Sequence, residues 1–325
     1  MEITSANVRM LSKLGQRGTF FGMAIPELAK ENPNLRVLTA DVEMLSGLDR
    51  FVSAFPTQFF NLGIAEQNMI GVAAGLAMEG RCVFTTTYAS FIAVRSLEHI
   101  RQHLAHMRCN VKVVGFAGGV TNATSGVSHC ATEDLAFMRA LPNMIVMSAA
   151  DSLEAYKMAC CAASVDQPMY IRLNGLLNCP VVYKEDFDFK VGKANIIQEG
   201  SDIAILAHGL MVNESLQASK LLKEQGISCS VIDFHTLKPL DTQMLDRVFK
   251  THRLIAAVEE HSVIGGLGSA VAEYKAALDK APRQIRLGFP DTFFHSAGSQ
   301  KYIWDQMGIT AEKIADRIQT EWVKR

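Results

Sequence analysis

The sequence predicts an α/β protein made of two consecutive α/β domains, with mostly parallel sheets and helices on both faces. Three observations predict it. Apolar segments of strand length, rich in β-branched residues and closed by turn formers, recur along the chain. Stretches of helical period separate them, and a β-α-β-α order calls for a parallel sheet covered on both sides. The pattern then breaks once, over NCPVVYKEDFDFKVGKANIIQEG, and starts again near Asp202, which places a boundary between domains 1–185 and 186–325.

In the first set, RVLTAD, QFFNLG, CVFTTT, VKVVGFAGG and MIVMSA read as buried strands, and MYIRLNG as a further one. The stretches AEQNMIGVAAGLAMEG and SLEHIRQHLAHM between them carry helical spacing. In the second set, DIAILAHG, SCSVIDF and RLIAAVEE read as strands. MVNESLQASKLLKEQG, DTQMLDRVFKTH and a segment from about Gly266 read as helices. At 325 residues and 49% apolar composition, the chain is long enough for two cores of ordinary size.

Composition narrows the classes of function. Lysine plus arginine (32) nearly balances aspartate plus glutamate (33), so no global field recruits nucleic acid or an anionic membrane. No apolar run approaches a membrane span, and MEITSANVRM lacks the basic-then-apolar pattern of a secretory signal. Seven cysteines stand at irregular spacings without a C-x-x-C. They fit reduced, buried thiols in the cytoplasm and leave no cysteine metal site.

Five segments carry residues with chemical potential. In FNLGIAEQNMIGVAAGLAMEG, Glu66 falls in the first turn of a helix. A favourable dipole or a capping-box-like contact accounts for it there. The helix is also rich in small residues (Gly71, Ala73, Ala74, Gly75, Ala77), which let another helix approach closely and put Glu66 beside a packed interface. Tyr88 and Phe91, three apart at a strand-to-helix junction, are core packing or a stacking platform for a flat heterocycle. The Gly/Ser/Thr-rich loop before ATEDLAFM carries His129, on the kind of strand-end loop where α/β sheets bind ligands. Arg172, within MYIRLNG, is either paired internally or aimed at an anionic ligand. VEEHSVIGGLGSAV looks like a phosphate loop, but Val271 stands where the third glycine would be. Tight helix packing is the better account, for His261 as well.

Taken in order, the three segments that carry Glu66, Tyr88 with Phe91, and His129 resemble the pyrimidine-binding domain of the transketolase family. The likeness continues through GKANIIQEGSDIAILAHGLMV, VIDFHTLKPLD and VEEHSVIGGLGSAV. These are similar to the C-terminal domain shared by transketolases, deoxyxylulose-phosphate synthases and 2-oxo-acid dehydrogenase β subunits. The resemblance implies a thiamine-diphosphate enzyme that moves a two-carbon ketol unit between sugar or sugar-phosphate substrates. It implies that Glu66 hydrogen-bonds the cofactor's aminopyrimidine ring, that Phe91 stacks on it with Tyr88 alongside, that His129 faces the substrate, and that Arg172 binds phosphate.

The chain contains no G-D-G segment, the mark of the family's diphosphate-binding domain. The resemblance therefore implies a separate N-terminal, diphosphate-binding partner subunit that holds most of the Mg²⁺ (or other divalent metal) site. Active sites then form between subunits, a homodimer of this chain sits within an α2β2 complex, and the chain alone is inert. Ala117 and Ser125 stand where full-length transketolases carry a histidine and an aspartate that touch sugar hydroxyls. That departure points to a non-standard ketose, branched, deoxy or sulfonated. A β subunit of a 2-oxo-acid dehydrogenase is the nearest alternative, and a non-catalytic subunit keeping the fold is the other.

Overall fold

The computed structural model describes residues 1–324. Its first sheet contains β1 (Leu35–Thr39), β2 (Phe59–Asn61), β3 (Cys82–Tyr88), β4 (Val111–Phe116), β5 (Ile145–Ser148) and β6 (Met169–Arg172). The second contains β7 (Asn195–Gln198), β8 (Ile203–Ala207), β9 (Cys229–Asp233), β11 (Leu254–Ser262) and β12 (Arg283–Phe289). A short strand between β9 and β11, β10 (Thr236–Lys238), leaves the second set and pairs with β5, closing the first sheet as β10-β5-β6-β4-β3-β1-β2. The second sheet runs β12-β11-β8-β9-β7. Among the described residues every pairing is parallel except β10 on β5 and β7 on β9.

The predicted class is therefore the observed one, and the reason is burial. β4, β5, β6, β8 and β9 are buried at every residue, as strands covered on both faces must be. Continuous apolar runs, not alternation, are their sequence trace. The strands missed in the sequence, β7, β10 and β12, lie at sheet edges. β12 is exposed at Arg283 and Arg286 and buried only at Leu287 and Phe289, and β7 is half-buried throughout, so neither shows a clean apolar run.

The topology also fixes where a ligand can sit. From β1 the chain moves outward to β2, then returns across to β3 on the other side of β1. That reversal opens a crevice at the C-terminal strand ends, the usual ligand position in open parallel sheets. The helix Glu66–Met78 enters from β2 and packs on β3, and the helix Ala89–Arg95 leaves the end of β3. Both helices thus meet at the same end of the sheet.

Candidate active site

Glu66 opens its helix after a turn in which Gly63 takes a left-handed backbone. Its side chain is 7% exposed, and Oε1 accepts a hydrogen bond from Arg95 Nη1 at 3.0 Å. Arg95 ends the Ala89–Arg95 helix, one turn after Phe91, and its guanidinium carbon lies 3.8 Å from the Phe91 ring centroid. A buried carboxylate and an aromatic face therefore form a slot, and a planar N–H donor lies in it.

The other expected residues gather beside that slot. His129, on the short turn Val127–His129, lies 5.1 Å from Phe91 and 5.6 Å from Tyr88, centroid to centroid. Tyr88 lies 5.5 Å from Phe91 and 4.5 Å from Phe116. The rings of Tyr88, Phe91 and His129 thus make one aromatic wall above the strand ends. His129 Nδ1 is 3.1 Å from Ser128 Oγ, which orients the imidazole.

The loop that presents His129 is pinned at its base. Gly119 and Ala131 exchange backbone hydrogen bonds of 3.0 and 2.8 Å, so the residues between them form a closed excursion. Gly119 has φ +64°, and a Cβ there would lie 2.3 Å from the Glu260 carboxyl carbon, so the position admits only glycine. Glu260 Oε1 accepts from Val120 N–H (3.0 Å), Gln300 Nε2 (2.9 Å) and Trp304 Nε1 (2.9 Å), while Oε2 accepts from Asn174 Nδ2 (2.6 Å). One buried carboxylate of the second sheet thus holds the loop, the end of β6 and the Gln300–Met307 helix together.

Arg172 is not at the mouth of this site. It is fully buried, with Nε 3.0 Å from Asp134 Oδ2, and Nη2 donates 2.8 Å bonds to the carbonyls of Ala131 and Glu260. Tyr170 Oη donates to the same Asp134 oxygen at 2.6 Å. Of the two roles left open by the sequence, the structure has the internal one. The physical reason is that an arginine on a central, doubly covered strand meets a buried acid before it meets solvent. The expectation that Arg172 binds substrate is corrected accordingly, because Arg172 supports the loop from beneath.

Arg17 offers the accessible guanidinium that Arg172 does not. It is half-buried, its guanidinium carbon lies 5.5 Å from the Phe116 centroid, and among the described residues it has no carboxylate partner. Burial lowers its pKa, opposed by the nearby Tyr88. Arg17 lines a small recess with Ala117, Thr121 and Asn174, next to the aromatic wall. Sequence reading passed over it because it falls inside an N-terminal helical stretch with no motif.

The suspected phosphate loop is closed by the chain itself. Glu259 Oε2 and Oε1 accept from Leu267 N–H (2.8 Å) and Gly268 N–H (2.9 Å), filling the anion position at the N-terminus of the Leu267–Ala276 helix. His261 Nδ1 is 2.8 Å from the Ser262 carbonyl and Nε2 accepts from Ala136 N–H at 3.3 Å. The packing account of this segment stands. A cavity of about 700 Å³ lies elsewhere, against Tyr183, Asp186 and Lys220. The Glu66–Phe91–His129 face is the one that brings a buried acid, an aromatic ring and an imidazole together.

Residues 16–178 match the transketolase pyrimidine-binding domain and residues 192–314 the transketolase C-terminal domain. The chain is 35% identical over 302 residues to an apulose-4-phosphate transketolase subunit of Phocaeicola vulgatus, covering 92% of this chain and 95% of that protein. It is 37% identical over 301 residues to a 6-deoxy-6-sulfo-D-fructose transketolase subunit of Clostridium sp. (strain MSTE9), covering 92% and 91%. A solved split-gene transketolase, described as an inactive β4 tetramer, matches with a TM-score of 0.87 at 38% identity, covering 96% of this chain and 99% of that one. The chain belongs to the transketolase family of thiamine-diphosphate enzymes, as a C-terminal subunit of the split type.

Proposed function

We propose that this chain is the pyrimidine-binding and C-terminal subunit of a two-subunit transketolase that transfers a two-carbon ketol unit between sugar phosphates. The observation that carries the reading is the slot between buried Glu66 and Phe91, with His129 at its mouth. The slot fits the aminopyrimidine half of thiamine diphosphate because it already accommodates a flat cationic N–H donor, edge-on to the carboxylate and face-on to the ring. The diphosphate and its divalent metal belong mainly to a separate partner subunit, a reading supported by relatives named as transketolase subunits and by the split-gene neighbour. The division into residues 1–185 and 186–325 is part of the proposal, supported by the gap between the two matched domains.

When bound, thiamine diphosphate would supply a carbon nucleophile and an electron sink for ketol transfer. The chain's own residues do the rest. Glu66, shielded from water, accepts a hydrogen bond from the ring nitrogen and sets where that proton rests. Phe91 and Tyr88 fix the plane of the ring. His129, oriented by Ser128, hydrogen-bonds the oxygen on which charge develops and moves its proton. Arg17 anchors the anionic end of the sugar beside Ala117.

A non-standard ketose is part of the proposal. Ala117 brings only a methyl group to the recess, and Ser125 Oγ lies in an exposed turn 3.5 Å from Asn122 Oδ1, so neither offers a histidine or an aspartate to sugar hydroxyls. The two relatives named for apulose 4-phosphate and 6-deoxy-6-sulfo-D-fructose support that reading. Assembly as a homodimer within an α2β2 complex is supported by the outer face of the Glu66–Met78 helix. Gly71 and Gly75 have open space beyond them there, and Ile64 (76%) and Met78 (66%) are strongly exposed at its two ends. A cytoplasmic setting is supported by seven unpaired cysteines, and no helix among the described residues is long and apolar enough to cross a membrane.

Titration of thiamine diphosphate and Mg²⁺ into the chain alone, the chain with its partner, and the Glu66→Ala complex tests the reading. Binding that requires the partner, with ketol transfer lost in the variant, is expected. A variant with wild-type turnover refutes it.

A further inference from the structure

We propose that Arg95 is a resident occupant of the aminopyrimidine slot, and that the cofactor must displace it to load. This rests on the reading of Glu66 and Phe91 as that slot. The guanidinium is a flat cation whose N–H groups lie in its plane. Here it makes both contacts that the ring requires: edge-on to Glu66 Oε1 at 3.0 Å and face-on to Phe91 at 3.8 Å. Two flat donors cannot share one carboxylate edge and one ring face, so the arginine and the cofactor exclude each other.

The local structure makes this a removable plug and not a fixed brace. Phe91 and Arg95 are one helical turn apart, so the stacking is built into the Ala89–Arg95 helix. The helix ends at Ser96, outside helical geometry, and Gln67 Nε2 fixes the Arg95 carbonyl at 3.0 Å. Backbone and side chain are thus uncoupled: the first is tied, while the second is 49% exposed on the solvent side of a carboxylate that is only 7% exposed. Leaving Glu66 unpaired at that depth is costly, and Arg95 supplies its counter-charge until the cofactor does. Arg172 makes the contrast clear, since it is wholly enclosed and held by Asp134 and two carbonyls.

The displaced contacts are a partly exposed ion pair and a cation–π contact, so their removal is expected to tighten cofactor binding by about tenfold. The experiment is calorimetric titration of thiamine diphosphate with Mg²⁺ into the complex of this chain with its partner. Wild type, Arg95→Met, Arg95→Lys and Glu66→Gln are compared, together with NMR exchange of the cofactor C2 proton in each complex. Arg95→Met is expected to bind about tenfold tighter, with Arg95→Lys between it and wild type because an ammonium lacks the flat fork. Glu66→Gln is expected to slow C2 exchange. If Glu66→Gln slows exchange but Arg95→Met binds no tighter than wild type, Arg95 is not a competitor and the inference falls alone. If Glu66→Gln exchanges like wild type, the slot itself is misread and both readings fall.

Discussion

Removing the Glu260 carboxylate should collapse the support of the His129 loop, and the structure sets the magnitude. Three donors on Oε1 and one on Oε2 depend on it. Gln300 has other acceptors in Thr121 Oγ1 (3.0 Å) and the Asn174 carbonyl (3.4 Å), so it is not stranded by the loss. Val120 N–H, Trp304 Nε1 and Asn174 Nδ2 are. Stranded buried donors cost about 1–3 kcal/mol each, and breaking a buried charge cluster costs about 3–5 kcal/mol in all. Glu260→Ala should therefore destabilise the chain by about 4 kcal/mol. Glu260→Gln should cost only about 1 kcal/mol, because its oxygen can keep the Oε1 donors and its amide can meet the unpartnered Asn174 Oδ1 after that amide flips. Burial already raises the Glu260 pKa against the pull of Arg172 and the donors, so the neutral isostere is not foreign to the site. Urea midpoints at one protein concentration, with hydrogen exchange at Val120, measure both variants. Equal losses for Ala and Gln, or a loss under about 1 kcal/mol for Ala, refute the reasoning.

Two further outcomes follow from the same reading of charges. Arg17→Ala should raise the KM for an anionic ketose, with kcat/KM down about 10- to 100-fold and cofactor affinity unchanged. A loss confined to kcat, or equal loss for an uncharged ketose, contradicts an anchoring role. The second outcome concerns Glu154 and Asp233, which meet in the interior, and burial raises both, Asp233 to about 7. An acid raised by folding stabilises fully below its ordinary range near 3.8, and that contribution is lost as pH climbs to about 7. Wild type should therefore lose on the order of 2–4 kcal/mol between about pH 4 and 8, and Asp233→Asn should flatten that profile. Parallel melting profiles for the two proteins sink the idea.

What could be read from sequence and what could not divides along burial. The doubly covered strands were legible because a central parallel strand needs an unbroken apolar run, as in IAILA and CSVID. β7 and β12 were not, since an edge strand tolerates Gln, Arg and Asn on its open side. β10 carries no local signal of its sheet, because its partner β5 lies far earlier in the chain, Thr236 opposite Met147. Within the site, Glu66, Tyr88, Phe91 and His129 lie near one another, because the strand-to-helix junctions and the loop that carry them share one end of the sheet. Arg95 could have been suspected from its four-residue spacing to Phe91 on a helix. Arg17 could not, since only the folded chain shows which arginine lacks an acid.

That last distinction decides how the chain can recognise an anion. Sequence offered two candidates, Arg172 and the glycine-rich turn after β11, and in each the fold supplies its own anion. Asp134 takes Arg172, and Glu259 takes the two N–H groups at the start of the Leu267–Ala276 helix. Filling a site internally gives rigidity, since a charge with a built-in partner need not wait for substrate to be compensated. It also removes that site from binding. Arg95 shows the intermediate case, where the internal pair is shallow enough to be exchanged. Among these cations Arg17, resting on Phe116 with no carboxylate against it among the described residues, is the one left open to an anionic ligand. It lies beside Ala117, so on the proposed function the same recess that lacks a polar contact for sugar hydroxyls keeps one for an anionic end. Specificity in this chain should therefore follow the charge and reach of the substrate's far end more than its hydroxyl pattern.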